Sequence, residues 1–121
     1  MTDKSERTRV GEKTFQEVLH LPVFPATTPA TEAARDFIFA EVWSRPGLDR
    51  RSRRWITLAC VCAAGAPTAM RTYIRAALVS GDITEAELRE FVLQFGVFQG
   101  FPKAMEIELL ISEIVAAEAA K

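Results

Sequence analysis

The chain has 121 residues, enough for one domain with a modest hydrophobic core. About half of the residues are apolar (49%) and a quarter are charged (26%), with a net charge of −1. This balance is typical of globular proteins and lacks the basic excess that nucleic-acid binding requires. The longest predominantly apolar run, residues 55–64, is too short to span a bilayer, and the polar N-terminus has no signal region. We therefore expect a cytoplasmic protein that binds neither nucleic acid nor membrane.

The N-terminal part is predicted to contain little regular structure. Residues 1–11 are interpreted as a mobile arm, and a short helix over Glu12–Leu19 follows them. His20, the only histidine in the chain, is interpreted as a cap or surface residue rather than a catalyst. The proline-rich stretch after it predicts an extended linker. We therefore divide the chain into an arm and linker, residues 1–28, and a helical domain, residues 29–121.

The next helix carries an unusual carboxylate. Thr28 as N-cap and Pro29 at the first position predict a helix that runs to about residue 44. At helical spacing, Glu41 falls in the middle of an apolar stripe. The other members of the stripe are Ala34, Phe37 and Ile38. A carboxylate that points into a core must be paired, protonated or functional. Three alternatives remain: an ion pair with the arginines of the following helix, a proton-transfer or substrate-orienting role, or an exposed edge or interface position.

The central helix is predicted after the break at Pro46 and Gly47, with Asp49 as its N-cap and Gly65 as its stop. Residues 55–64 are apolar on every side, which predicts burial within a larger assembly. Four arginines crowd the first turn, where the helix dipole is already positive. They are Arg50, Arg51, Arg53 and Arg54. This cluster requires anions, either carboxylates of the protein or an acidic ligand.

The two cysteines, Cys60 and Cys62, lie in this central helix. On a helix they point roughly 200° apart, so they cannot form a disulfide with each other. We interpret both as small buried apolar side chains in a reducing compartment.

Three further helices complete the predicted fold. The first, over residues 67–80, places Tyr73 on its apolar face, so the phenol is expected to face the interior. The second starts at the capping box Thr84–Glu87, with Gln94 at the edge of its apolar stripe and Gln99 at the end.

The last helix, opened by Pro102, has an apolar arc wide enough to suggest a subunit interface. No strand pattern is visible anywhere in the sequence. We predict an all-α fold, a single-domain bundle of about five to six helices.

Three stretches of the chain resemble one protein family. They read FAEVWSRPGLDRRSRRWITLA at 39–59, YIRAALVSGDITEAELREFVLQFGVFQGFPKA at 73–104 and, more weakly, RVGEKTFQEVL at 9–19. Together they are similar to the carboxymuconolactone decarboxylase family of the alkylhydroperoxidase D-like superfamily. The resemblance implies helical subunits that form trimers or hexamers, with active sites near subunit contacts. It also implies a small carboxylated lactone, from aromatic compound catabolism, that loses CO₂ without metal or organic cofactor.

The resemblance also implies roles for individual residues. Glu41 matches the glutamate of the family's G-E-I-W-like piece and is expected to be catalytic. Arg45 and Arg53 match family arginines, which would hold substrate carboxylates by bidentate hydrogen bonds. Gln94 matches a family glutamine, and Gln99 is assigned with it to substrate binding. No metal ligands are predicted.

Two family histidines are missing from this sequence. Tyr73 stands in the place of one, and the other falls near Leu110. A phenol with a pKa near 10 can donate a proton or a hydrogen bond but is not a ready base at pH 7. The Cys-x-x-Cys of the peroxidase branch is also absent, because Ala66 and Ala69 occupy those positions. A thiol peroxidase is therefore not expected.

The sequence thus leaves two hypotheses for function. The first is a carboxymuconolactone decarboxylase-like lyase with Glu41 and Tyr73 as catalytic residues, acting on a small carboxylated lactone or related organic acid. The second is a family member that does not decarboxylate: an isomerase or dehydratase of another small acid, or a non-catalytic homo-oligomer that binds one.

Overall fold

The computed structural model describes residues 5–23 and 26–121, and all regular structure within them is helical. The helices are α1 (Glu6–Leu19), α2 (Pro29–Ala33), a π-helical segment (Ala34–Val42), α3 (Arg50–Ala64), α4 (Pro67–Ser80), α5 (Glu85–Gln99) and α6 (Phe101–Ala119). The all-α prediction is confirmed. Residues 1–4 of the predicted arm and residues 24–25 of the predicted linker lie outside the described residues.

The described residues up to Arg53 form one compact unit, and Arg54–Lys121 form a second. In the first unit, α1 packs against the π segment. In the second, both α4 and α5 pack against α6. The predicted domain boundary at residue 28 stays a prediction.

Helix α1 begins earlier than the sequence predicted. The side chain of Ser5 accepts a hydrogen bond from the backbone N–H of Thr8 at 3.1 Å and so caps the helix. Residues 6–11 are therefore helical, and assigning them to a mobile arm was wrong. At the other end, His20 has a left-handed backbone with φ of 53° and donates its N–H to Gln16. The interpretation of His20 as a helix cap is confirmed.

Gly11 marks the closest approach of α1 to the π segment. A Cβ atom at residue 11 would lie 2.2 Å from the carbonyl oxygen of Arg35. We expect Gly11→Ala to lower the free energy of unfolding by about 2 kcal/mol in urea, because the clash outweighs the higher helix propensity of alanine. Gly47→Ala is the matched control, since a Cβ there meets no atom within 4 Å. An unchanged unfolding midpoint for Gly11→Ala would contradict this packing.

The helix that starts after Thr28 changes type in its middle. Its start agrees with the prediction, because the side chains of Thr28 and Thr31 form a capping box. From residue 34 onward the helix is π, with the N–H of Trp43 bonded to the carbonyl of Ile38 at 2.9 Å. Hydrogen bonds to the fifth residue back widen each turn, so the 3.6-residue spacing used for the sequence no longer applies.

The π geometry corrects the predicted apolar stripe. Phe37 and Ile38 are exposed, and the buried side chains are Phe39, Ala40 and, just beyond the segment, Trp43. Phe39 packs edge-on against Phe15 of α1, with ring centroids 5.1 Å apart. Glu41 likewise does not point into a core. The expectation that its carboxylate is buried among apolar side chains was wrong, because that face of the helix is not the buried one.

Helix α3 has the predicted ends but not the predicted surroundings. Asp49 caps it by accepting a hydrogen bond from the N–H of Ser52 at 2.7 Å, and Gly65 follows it with φ of 65°. Its buried residues form one row. They are Arg54, Leu58 and Cys62. Ile56 and Cys60 are exposed on the single chain, so the prediction of two buried cysteines was wrong, and burial of the helix within a larger assembly stays a prediction. Burial raises the pKa of the Cys62 thiol to about 11, which keeps it protonated and unreactive.

The core of the second unit follows the predicted helical stripes. Met70, Ile74 and Ala77 of α4 are buried, and so are Leu88, Val92 and Phe95 of α5. Four residues of α6 complete this core: Ala104, Ile107, Ile111 and Ile114. The predicted capping box at Thr84 and Glu87 is present. Within the described residues, no helix has the length and apolar character needed to cross a membrane.

The second unit also exposes apolar side chains on its last two helices. They are Leu93, Val97, Phe98, Phe101, Met105 and Leu109. Contiguous apolar surface of this kind commonly marks an interaction site on a protein.

Candidate functional site

Glu41, the predicted catalytic carboxylate, lies near the end of the π segment in the first unit. Its Oε1 is 2.6 Å from Nη2 of Arg7, and 48% of its side chain is exposed. Of the three alternatives for Glu41, the structure therefore has an ion pair at a solvent-accessible position. The partner is an arginine of α1 rather than one of α3. Arg7 was not predicted as a site residue because residues 1–11 were expected to form a mobile arm.

Arg7 is fixed to the π segment by a second contact. Its Nε donates a hydrogen bond to the backbone carbonyl of Asp36 at 2.6 Å. The Asp36 carboxylate accepts bonds from both Arg35 and Thr8, at 2.6 Å and 3.2 Å. The hydrogen bond from Arg35 keeps the pKa of Asp36 below its usual value, so this network stays ionised at neutral pH. The guanidinium of Arg7 is therefore held in place beside Glu41.

The predicted substrate arginines of the first unit follow Glu41 along the chain. Ser44 Oγ donates to the backbone carbonyl of Glu41 at 3.4 Å, at the end of the π segment. Arg45 is exposed in the next turn, and its carbonyl accepts a hydrogen bond from Nη2 of Arg53 at 3.3 Å. Glu41, Arg45 and Arg53 thus lie on one hydrogen-bonded stretch. The arginines at the start of α3 do not all share one partner, since Arg50 lies 3.8 Å from the carboxylate of Glu17.

Arg54 is a buried cation that the predicted site did not include. Only 2% of its side chain is exposed, and its Nε lies 2.7 Å from Oδ2 of Asp82 in the second unit. The sequence does contain a signal for this burial, because Arg54 falls in the same helical row as Leu58 and Cys62. The arginine cluster was predicted to require anions, and for Arg54 the anion is the carboxylate of Asp82.

Tyr73 lies on α4 and packs against the core of the second unit. Its predicted position facing the interior is confirmed. Burial raises the pKa of the Tyr73 phenol above its usual value near 10, and the positive charge of Arg54 offsets part of this shift. At neutral pH the phenol is therefore protonated. It can donate a proton or a hydrogen bond but cannot serve as a base.

Tyr73 can be titrated directly because it is the only tyrosine in the chain. We expect its phenolate absorbance to appear at higher pH in the folded protein than in urea, and to be absent in Tyr73→Phe. Because folding raises the pKa of Tyr73, the burial of its neutral phenol contributes full stability below pH 10. This contribution is lost as the pH rises through the pKa of Tyr73 in the folded protein. Equal midpoints in the folded and unfolded protein would contradict the burial of this phenol.

The two predicted glutamines are exposed on α5. Gln94 lines an open groove together with the aromatic rings of Trp55 and Phe91. Glu87 and Glu90 line the same groove, and their charges oppose an anionic ligand there. Gln99 is the last residue of the helix, and its side chain is exposed.

The structure thus pairs Glu41 with Arg7 in the first unit, and in the same unit it hydrogen-bonds the Arg53 side chain to the backbone of Arg45. It places Tyr73, Gln94 and Gln99 at separate positions of the second unit. The catalytic and binding roles of these residues stay predictions. Across the parts of the chain that the structure describes, no three His, Cys, Asp or Glu side chains are grouped so that they could hold a metal ion.

These features define a protein, helical in its described residues, whose N-terminal unit presents a half-exposed carboxylate paired with an arginine. The sequence model of the carboxymuconolactone decarboxylase family matches residues 28–112, which is more than half of the chain. The chain therefore belongs to the carboxymuconolactone decarboxylase family, as the resemblance predicted.

Individual proteins with similar sequences include two decarboxylases. The chain is 33% identical over 91 residues to the nitrosuccinic acid decarboxylase of Metarhizium robertsii, covering 75% of this chain and 63% of that protein. It is 39% identical over 66 residues to the 4-carboxymuconolactone decarboxylase of Acinetobacter baylyi, covering 54% and 48%. An uncharacterized 15.0 kDa protein of Paracoccus denitrificans is 34% identical over 82 residues, covering 66% and 60%. The chain thus spans less than two thirds of the length of each relative.

Proposed function

We propose that the protein is a carboxymuconolactone decarboxylase-like lyase that removes CO₂ from a small organic acid with more than one carboxylate. The observation that carries this proposal is the stretch bearing Glu41, Arg45 and Arg53, in a chain that belongs to this family. Two relatives named as decarboxylases support it. Their named substrates, nitrosuccinic acid and 4-carboxymuconolactone, both carry more than one carboxyl group.

The proposed reaction needs only acid/base chemistry and positive charge. The carbon–carbon bond to the departing carboxylate breaks, and its electron pair moves into an adjacent electron-withdrawing group such as the lactone carbonyl. The double bond moves, and a proton that comes from water adds to a carbon over which the electron pair is delocalised, so no metal, oxidant or organic cofactor is consumed. Glu41 is proposed to move this proton. Arg45 and Arg53 are proposed to hold the carboxylates of the substrate by charge-assisted hydrogen bonds.

Tyr73, Gln94 and Gln99 keep their predicted roles in the second unit. A protonated Tyr73 is suited to donate a hydrogen bond to an oxygen on which negative charge develops. The glutamines are proposed to hydrogen-bond neutral oxygens; for Gln94 this suits an amide side chain in a groove that already contains two carboxylates.

The replacement of the family histidine by Tyr73 favours a second candidate, a member of the family that binds or isomerises a small acid without decarboxylating it. NMR of 4-carboxymuconolactone in D₂O separates the two. A decarboxylase releases CO₂ and adds one deuterium to a carbon of the remaining lactone, whereas an isomerase or dehydratase keeps every carboxyl carbon. A non-catalytic binder leaves the compound unchanged but melts at higher temperature in its presence.

We also propose that the protein forms a homo-oligomer, a trimer or hexamer, through the apolar side chains exposed on α5 and α6. Burial of this surface between copies would supply the hydrophobic free energy of assembly. Leu109, with 66% of its surface exposed, is among the most exposed of them. We expect Leu109→Glu to reduce the mass measured by light scattering to that of smaller species, while Ala117→Glu on the same helix does not. A wild-type monomer would contradict the proposal.

A further inference from the structure

The ion pair between Arg7 and Glu41 indicates how the proposed site takes up its ligand. We infer that Arg7 is a specificity-determining residue that binds a carboxylate of the substrate, and that this carboxylate replaces Glu41 on the Arg7 guanidinium. The inference rests on the proposed function, because it concerns the same carboxylate. It adds a binding residue from α1, which precedes the part of the chain matched by the family, residues 28–112.

The guanidinium of Arg7 is held independently of Glu41. Its Nε edge donates to the backbone carbonyl of Asp36 at 2.6 Å, and this contact does not involve Glu41. The next residue, Thr8, donates to the Asp36 carboxylate at 3.2 Å and fixes the same turn of α1. When Glu41 leaves, the guanidinium therefore stays in position with Nη2 available for another carboxylate. A group held in place in this way loses little conformational entropy when a ligand binds.

The contact between Arg7 and Glu41 is also easy to exchange. About half of each side chain is exposed, 51% for Arg7 and 48% for Glu41, and the carboxylate contact at 2.6 Å runs to a single guanidinium nitrogen. Exposed ion pairs of this kind contribute little to stability. A carboxylate from solution can therefore replace Glu41 at small cost. Arg45 and Arg53 supply further positive charge along the same stretch for a second carboxylate of the ligand.

The exchange would couple substrate binding to chemistry. While Glu41 is paired with Arg7, its Oε1 is occupied by the guanidinium. Once a substrate carboxylate takes this position, the Glu41 carboxylate is released beside the bound substrate, where it can take a proton from water and pass it to carbon. An acid with a single carboxylate that binds Arg7 has no second carboxylate left to lose, so turnover selects for acids that carry at least two.

Calorimetric titration of the full chain with succinate, a simple dicarboxylate, tests the exchange. We expect Glu41→Gln to bind succinate up to about fivefold more tightly, because the competing internal carboxylate is gone. Arg7→Met should weaken binding at least about tenfold, and Arg7→Lys should fall between, since it keeps the charge but loses the planar fork. Arg9→Met is the control, because Arg9 lies on the same helix and pairs with Glu6.

Weaker succinate binding by Glu41→Gln than by the wild type, or binding by Arg7→Met as tight as that of the wild type, would overturn the inference. A structural role for the pair predicts that both single changes weaken binding or leave it unchanged, and loss of saturable binding in both the wild type and Glu41→Gln counts equally against it. Circular dichroism of Arg7→Lys distinguishes a lost contact from a lost fold. Since binding and not turnover is measured, a protein that shows the expected order but releases no CO₂ supports the exchange and contradicts decarboxylation. A protein that releases CO₂ but whose succinate affinity does not change in Glu41→Gln or Arg7→Met supports decarboxylation and contradicts the exchange.

Discussion

Glu41→Gln is expected to lower kcat for CO₂ release by about a hundredfold or more. The amide has nearly the same shape as the carboxylate but cannot carry the proton, and general acid–base catalysis typically contributes factors of about 10² to 10⁴. The fold should persist, because the pair with Arg7 is half exposed and contributes little to stability. If Glu41 also competes with the substrate for Arg7, KM should fall together with kcat.

Glu6→Gln is a suitable comparison, since it removes the carboxylate of another exposed ion pair of the first unit, that with Arg9 at 3.6 Å. It should leave both kinetic parameters unchanged. Full activity in Glu41→Gln would show that the proton is moved by another group, and the proposed role of Glu41 would have to be abandoned.

Asp82→Asn is expected to cause the largest loss of stability, about 3 kcal/mol. Arg54 is 2% exposed and forms its 2.7 Å contact with the carboxylate of Asp82. Replacing the carboxylate leaves a buried guanidinium without that countercharge, and removing one partner of a buried pair typically costs about 3–5 kcal/mol. We take the lower end because Asp82 itself is 36% exposed, which allows water to compensate in part.

Urea unfolding followed by circular dichroism measures this loss. Glu113→Gln provides the contrast, because its pair with Arg71 is exposed on both sides and should contribute less than about 1 kcal/mol. The double variant Arg54→Met/Asp82→Asn should recover much of the stability, since it buries no charge. A single Asp82→Asn as stable as the wild type would show that Arg54 does not need this carboxylate.

The helices of the second unit were predictable because their signals are local. The capping box at Thr84 and Glu87 joins residues three apart, and the stripe through Met70 and Ile74 follows the ordinary helical repeat. Neither depends on distant parts of the chain. Asp49 and Gly65 marked the ends of α3 for the same reason.

The first unit was harder because its structure depends on distant contacts. The change to π geometry at residue 34 has no simple sequence rule, and it moved Phe37 and Ile38 outward and Phe39 inward. The partner of Glu41 lies 34 positions earlier in the chain, on a helix that the polar sequence of residues 5–11 did not predict. Burial of Gly11 against Arg35 is likewise a tertiary contact.

The burial of Arg54 is indicated by its helical spacing, but it was not predicted. Its spacing from Leu58 and Cys62 places it in the buried row of α3, yet the four arginines in five positions were interpreted together as one cluster that requires anions. The carboxylate that decides the outcome is on Asp82, 28 positions away. The position of Arg54 in the buried helical row is what distinguishes it from the neighbouring arginines.

Release of CO₂ from 4-carboxymuconolactone and from nitrosuccinic acid by the purified protein tests the proposed function most directly. We predict release from at least one of the two acids above the rate in buffer, without added metal or cofactor, and its loss in Glu41→Gln. Absence of CO₂ from both acids, with a protein that still binds succinate, would contradict decarboxylation of these acids and favour the second candidate, a family member that binds or isomerises a small acid.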